Sequence, residues 1–315
     1  MLIPQTTVLC HLQGNYFPYK EVEKKFPKVN FVPVPTSGPI PSSISGQILI
    51  TSAAASDNLL ELTNRDIQWV HCVGHGVDHI PPKFFENQIV TCSRGVSAVP
   101  IAEWVLSMIL AWTKKIPETW INDPPDKWFR APLESLAAST VALIGLGSIN
   151  LAVAERLIPF RCQLSAVRRT DKPPPFKEIK IVGSVTEAIA DADHVVIATP
   201  LTSKTHHLID TKTLNAAKSG VHLINIARGS LINQTALKQA LDSGKIGRAS
   251  LDVADPEPLP LNHWLYKHPK VRFSPHVSWT NPDHLNRMVN AFVENLNRWI
   301  ANEPLNDIVD TNAGY

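Results

Sequence analysis

The chain carries almost no excess charge of either sign. Its 30 Lys and Arg residues face 28 Asp and Glu, a formal net charge of +2, and the basic residues are scattered rather than striped. That argues against nucleic acid or an anionic membrane as the main partner, because both select concentrated positive charge. Cysteine is scarce as well. Cys10, Cys72, Cys92 and Cys162 form no C-x-x-C pair and no framework spacing, so they read as buried thiols in a reducing compartment rather than as a disulfide scaffold. Long apolar runs are missing: IAEWVLSMILAW (101–112) is interrupted by Glu103 and is too short to span a bilayer. The N-terminal MLIPQTTVLC has no basic segment followed by a long apolar stretch, so a secretory signal is not expected. No internal repeat or low-complexity tract is evident. A soluble cytoplasmic protein is the expectation.

What is present suits an ordinary globular fold. With 44% hydrophobic and 18% charged residues over 315 positions, the chain can bury a sizeable core and is expected to form two domains. Near-continuous Val/Ile/Leu runs recur as strand candidates at 7–12, 30–34, 47–52, 67–73 and 89–93. A second series follows at 140–145, 162–167, 194–199, 221–227, 249–253 and 271–275. Such runs, alternating with helical stretches, describe parallel strands covered on both faces, hence α/β with doubly wound sheets. The join is AVPIAEWVLSMILAWTKKI (98–116), an apolar helix with Pro100 in its first turn. It serves as core or as a subunit interface; both readings stand. NDPPD (122–126) and DKPPPF (171–176) are loops, and a last helix near 283–302 leads to a tail that returns to the first domain.

GLGSIN at 145–150 opens like the dinucleotide fingerprint G-x-G-x-x-G but ends in Asn150. A strand precedes it and a helical pattern follows, which is the context the motif requires. Gly145 permits the tight turn, and Gly147 lets a pyrophosphate approach the backbone. The N–H groups of Leu146, Ser148, Ile149 and Asn150 then lie at a helix N-terminus suited to an anion. The third glycine serves helix–strand packing, so Asn150 bears on helix position more than on phosphate contact. Where an NAD site carries an acid, the next strand runs into Arg168, Arg169 and Thr170. Two guanidiniums there suit a 2′-phosphate, which points to NADP(H) with NAD(H) as the alternative. A plain solvated basic turn also stays open.

Three polar residues sit where strands of the second series end: Arg228 in NIARGS, Glu257 in DVADPEPLP and His276 in VRFSPH. The carboxyl edge of an α/β sheet is where ligands bind. A guanidinium grips a carboxylate, and a His–Glu pair holds an imidazole proton and raises its pKa for acid–base work.

The block LINIARGSLINQTALKQALDSGKIGRASLDVADPEPLP followed by SPHVSWT resembles the D-isomer-specific 2-hydroxyacid dehydrogenases. VGHGVDHI (73–80), PIAEWVLSMILAW, ATPLTSKTHHLI and the C-terminal ENLNRWIANEPLNDIVDTNAGY also resemble family segments, so the likeness covers nearly the whole chain. It implies a Rossmann cofactor domain (98–285) inserted into a flavodoxin-like substrate domain (1–97 and 286–315). It further implies that Arg228 binds the substrate carboxylate and carbonyl, that His276 donates a proton to the carbonyl oxygen, and that Glu257 orients His276. Asp252, Pro200, Thr205, Ile226, Ala227 and Ser278 match cofactor-lining positions. A homodimer through the cofactor domain and a small 2-oxo or 2-hydroxy acid as partner are the family expectation.

In HCVGHGVDH, His71, His75 and His79 are spaced by four, but Gly74 and Gly76 make a helix implausible and no metal is expected. The resemblance implies instead a turn, Gly74–His75–Gly76, whose N–H groups cradle the substrate carboxylate. Trp279, where smaller residues are common, either walls the substrate pocket or packs. Overall the sequence suggests an NADP(H)-preferring reductase of small 2-oxo acids such as glyoxylate or hydroxypyruvate. Its alternatives are an NAD-dependent enzyme of the same family or a nucleotide-sensing corepressor-like binding protein. Another Rossmann enzyme, such as a methyltransferase, normally wants an acid where Arg168 and Arg169 stand.

Overall fold

A computed structural model describes residues 6–12, 17–52, 56–78, 80–81, 83–129, 131–310 and 313–315. The chain divides into two compact units, Met1–Ser97 with Asn281–Tyr315, and Ala98–Thr280. The second crossing thus falls at 280/281 rather than at 285/286. The reason is that the last helix begins at His284 and buries its whole apolar stripe in the first unit.

In the first unit, β1 (Thr6–His11), β2 (Val29–Pro33), β3 (Ile48–Ser52), β4 (Trp69–Val73) and β5 (Ile89–Cys92) form one parallel sheet of order β2-β1-β3-β4-β5. That is the flavodoxin-like order. Every residue of β4 is buried, His71 included, as in a strand covered on both faces. The last helix, α8 (His284–Ile300), presents Met288, Val289, Phe292 and Leu296 to this sheet, the stripe that helical spacing dictates. Phe292 stacks on Trp69 with ring centroids 5.5 Å apart. Buried Asn295 then turns the tail back: its Oδ1 accepts from the Asn306 N–H at 2.7 Å and its Nδ2 donates to the Asn306 carbonyl at 3.1 Å. The tail pairs antiparallel with β5 through Thr91 and Ile308, covering that edge of the sheet.

The second unit holds β6 (Thr140–Ile144), β7 (Gln163–Val167), β8 (Ile179–Ile181), β9 (His194–Ile197), β10 (Val221–Asn225), β11 (Ile246–Leu251) and β12 (Val271–Phe273). All are parallel, in the order β12-β11-β10-β9-β6-β7-β8. The order reverses between β6 and β9, so their carboxyl ends form the switch point at which such sheets bind ligands. The helix α3 (Ala98–Thr113) buries Ile101, Ala102, Val105 and Ile109 in one cluster with Val141 and Leu143 of β6 and Val153 and Leu157 of α4 (Ser148–Leu157). The apolar 98–116 stretch is therefore core along this face.

Two expectations need correction. The edge strand β8 escaped notice because IKI is short, charged at its centre and buried only at Ile179. Cys162 is not a buried thiol: it lies partly exposed just before β7, while Cys10, Cys72 and Cys92 are buried, and none of the four is in a disulfide. Among the described residues no helix is long and apolar enough to cross a membrane.

Candidate active site

The turn after β6 shows why its glycines are there. Gly145 has φ +86°, and a Cβ on it would lie 2.5 Å from Thr199 Oγ1 and 2.8 Å from the Ala198 carbonyl oxygen. Both backbone conformation and crowding from the end of β9 demand glycine. Gly147 differs. It caps α4 without any side-chain hydrogen bond to the helix, and a Cβ there would meet nothing within 4 Å. The chain's own packing does not require this glycine, so the space beside the first-turn N–H groups is open to an external anion. Leu146 and Ile149 pack with the α3 cluster, leaving Ser148 at the first helical position.

Asn150 is fully buried at 0% exposure. Its Nδ2 donates to the Gly145 carbonyl at 2.6 Å and lies 3.4 Å from the carbonyls of Ile144 and Val196. Where a glycine lets a helix press against a strand, this amide ties α4 to the ends of β6 and β9. Its Oδ1 has no hydrogen-bond partner among the described residues.

After β7, Arg168 donates through Nε and Nη2 to Thr170 Oγ1 at 3.1 and 2.8 Å, while Arg169 and Thr170 are exposed. In the loop beyond β9, Thr205 Oγ1 accepts from the Thr202 N–H at 2.8 Å and donates to the Pro200 carbonyl at 2.7 Å. Thr205 thus clasps this loop into shape.

Arg228, Glu257 and His276 are brought together by three consecutive strand ends. Buried β10 finishes at Asn225, whose Oδ1 accepts from the Ala227 N–H at 3.1 Å and whose Nδ2 donates to the Arg228 carbonyl at 2.8 Å. This one side chain folds the Ile226–Arg228 turn, with Ile226 buried and Ala227 partly so. Arg228 also donates from Nη1 to the Ala227 carbonyl at 2.7 Å. Gly229 then passes directly against the loop after β11: a Cβ there would lie 2.0 Å from the Ala254 carbonyl carbon. That loop carries Glu257, whose Oε1 accepts from the Ala254 N–H at 2.9 Å and whose Oε2 lies 2.8 Å from His276 Nδ1.

Burial pushes the Glu257 carboxyl upward. The bonds from His276 and the Ala254 N–H, with the charges of His276 and Arg228, outweigh it and hold the group below the ordinary carboxylate range. An ionised carboxylate only accepts, so Nδ1 carries the proton of this pair. Nε2 has no hydrogen-bond partner among the described residues, and it is the atom left to exchange a proton with a ligand.

His276 is held in a left-handed conformation, φ +54°. Buried Asp252 organises the loop around it. Its Oδ1 accepts from Ser274 Oγ at 2.5 Å and the Val277 N–H at 2.9 Å, and its Oδ2 accepts from the Ser278 N–H at 2.9 Å. Both carboxylate oxygens of Asp252, which is fully buried, are thereby engaged within the loop. The indole N–H of Trp279 donates to the His276 carbonyl at 2.7 Å.

A family model described as "D-isomer specific 2-hydroxyacid dehydrogenase, NAD binding domain" matches residues 106–278, over half of the chain. The chain belongs to the D-isomer specific 2-hydroxyacid dehydrogenases. It is similar to the "Glyoxylate reductase/hydroxypyruvate reductase" of Homo sapiens, 30% identical over 82% of each chain. It is also similar to the "Glyoxylate/hydroxypyruvate reductase A HPR2" of Arabidopsis thaliana, 30% identical over 90% of this chain and 93% of that one. A D-isomer specific 2-hydroxyacid dehydrogenase from Xanthobacter autotrophicus Py2, solved with NADPH and MES, shares the fold. Its TM-score is 0.84 at 23% identity, over 99% of this chain and 100% of that one. The chain is thus an NAD(P)-dependent oxidoreductase of the family, and its second unit carries the family's nucleotide-binding sheet.

A dinucleotide fits the residues present: an obligatory glycine at the turn, open space beside Gly147 and uncapped N–H groups at the helix start. Gly74, His75 and Gly76, read in the sequence as a substrate-cradling turn, lie in the first unit. Gly74 follows β4 with φ +138°, and its carbonyl accepts from the Ser93 N–H at 2.9 Å. His75 Nε2 accepts from the Gly95 N–H at 3.1 Å, and the Gly76 carbonyl lies 3.4 Å from Cys72 Sγ. His71 is buried in β4 against the Thr91 and Ser93 hydroxyls, and burial pushes it down to about 3. His79 lies outside the described residues.

Asn225, Gly229, Ser274 and the bracing roles of Asp252 and Trp279 were not foreseen. A polar residue closing the buried run VHLIN was the available sign for Asn225. Nothing in the sequence announced the contact of Gly229 with Ala254.

Proposed function

We propose that this dehydrogenase reduces small 2-oxo acids, glyoxylate or hydroxypyruvate among them, to D-2-hydroxy acids, with NADPH preferred. The carrying observation is the His276–Glu257 pair at 2.8 Å, which leaves Nε2 without a protein partner among the described residues. The bound nicotinamide supplies the hydride. His276 Nε2 gives its proton to the carbonyl oxygen, and Glu257 stabilises the imidazolium and fixes which nitrogen faces the substrate. Arg228 holds the substrate carboxylate. The second unit is the cofactor domain and the first the substrate domain. The names of the human and Arabidopsis relatives favour these substrates.

The cofactor preference rests on Arg168 and Arg169 after β7. One observation favours NAD(H): two N–H groups of Arg168 already bond Thr170. Comparing kcat/KM for NADPH and NADH decides between them, and a clear NADH preference removes the 2′-phosphate clamp. For the substrate role, Arg228→Ala loses a charged hydrogen bond of about 1.5–3 kcal/mol, so kcat/KM for hydroxypyruvate falls roughly 10- to 150-fold. An undiminished Arg228→Ala enzyme removes that role. A homodimer is also proposed, supported by Trp120, Trp128 and Phe129 at 71%, 61% and 101% exposure; a monomer by light scattering refutes it.

A further inference from the structure

Trp279 does more than fill space. His276 sits in a left-handed conformation that an L-residue keeps only when its surroundings hold it. Its N–H donates to the Asp252 carbonyl at 2.8 Å, and its side chain is taken by Glu257. The remaining polar group, the His276 carbonyl, receives the Trp279 indole N–H at 2.7 Å. Between them, the N–H groups of Val277 and Ser278 both end on the Asp252 carboxylate. The segment 276–279 is therefore a closed turn, fastened to β11 by Asp252 and closed upon itself by the indole.

The far side of the indole is rooted in the core. Trp279 packs against the cluster that contains Ile226, Val105 and Leu143, and that also receives Leu146 and Ile149 of the nucleotide turn. A ring anchored there gives its N–H little freedom, so the His276 carbonyl has a fixed donor rather than an exchangeable water. We infer that Trp279 is the positioning residue of the proton donor, acting through the His276 main chain to keep the imidazole on Glu257. The inference rests on reading His276 as that donor. A ring that merely packed would need no N–H at this place.

The test uses the full chain with hydroxypyruvate and NADPH. Trp279→Phe keeps an aromatic ring and loses the donor. The loss of one hydrogen bond predicts a kcat lowered roughly 2- to 12-fold, with Kd for NADPH unchanged and Tm lowered by no more than a few degrees. Because Trp279 acts through His276, the same change placed in His276→Ala lowers kcat no further. If Trp279→Phe turns over like the wild type, lowers Tm alone, or slows both backgrounds equally, the inference is overturned. If instead His276→Ala itself turns over like the wild type, the reading of His276 as proton donor has failed. Should Trp279→Phe not fold, a 3-benzothienyl side chain at position 279 replaces N–H by sulfur in the same shape. The same fall in kcat is expected, and an unchanged kcat overturns the inference.

Discussion

Gly229→Ala is the perturbation whose outcome follows most directly from the structure. The added Cβ would lie 2.0 Å from the Ala254 carbonyl carbon, 2.1 Å from its oxygen and 2.5 Å from the Asp255 nitrogen. All three are backbone atoms, so no side chain can rotate away, and relief requires the 228–229 loop to move about 1 Å or more from the 254–257 loop. Those loops carry Arg228 and Glu257, and the second also bonds His276. Overpacking of this kind costs about 1–3 kcal/mol of stability, and a displacement near 1 Å in a catalytic group costs roughly 100-fold in rate. Gly229→Ala is therefore expected to fold with a lowered urea midpoint, to bind NADPH, and to lose about 100-fold in kcat/KM for hydroxypyruvate. Circular dichroism, NADPH titration and steady-state kinetics separate the three. A variant with wild-type kcat/KM would refute the claim that this backbone contact sets the site.

Gly147→Ala is expected to behave in the opposite way: Tm unchanged, because its Cβ meets nothing, but NADPH bound more weakly by isothermal titration; unchanged affinity would place the phosphates elsewhere. In Asn150→Gly, the lost amide bonds and the added backbone freedom each cost about 1 kcal/mol, and release of the orphaned Oδ1 returns a similar amount. Cofactor affinity should hold, and its collapse would make Asn150 a ligand. Acid should weaken the first unit early. His71 falls to about 3 on folding from an unfolded value of about 6.5. A depressed value gives stability that is complete above the unfolded pKa and is lost as pH falls toward the folded one, about 2 kcal/mol by roughly pH 5. Urea midpoints at neutral and mildly acidic pH check this, and an unaltered pH dependence in His71→Gln would contradict it.

How much of this was legible beforehand differs by level. Strands such as VHLIN and WVHCV are buried on both faces, so their apolar runs announced a parallel sheet without help. β8 was illegible because an edge strand need bury only one residue, and IKI does just that. At the site, Arg228, Glu257 and His276 stood out because all three fall at strand ends of one sheet and are chemically complementary. Asp252 was read only as matching a cofactor-lining position of the family; its bracing of the 274–278 loop depends on hydrogen bonds between segments far apart in sequence. Trp279 was ambiguous for the same reason: an indole reads as apolar in a sequence, and its N–H acquires a role once a carbonyl is folded against it. Asn150 read as a departure from a glycine motif that bears on helix position; its amide supplies the contact between helix and strands that a glycine leaves to close packing.

The central claim is that His276, fixed on Glu257, supplies the proton for reduction of a 2-oxo acid. The most direct measurement compares kcat for hydroxypyruvate with NADPH in the wild type and in His276→Gln, with Kd for NADPH determined on both. Positioned general acids contribute about 100- to 10,000-fold. The account predicts a loss of at least about 100-fold in kcat with Kd unchanged; a His276→Gln enzyme that keeps the wild-type kcat would contradict it.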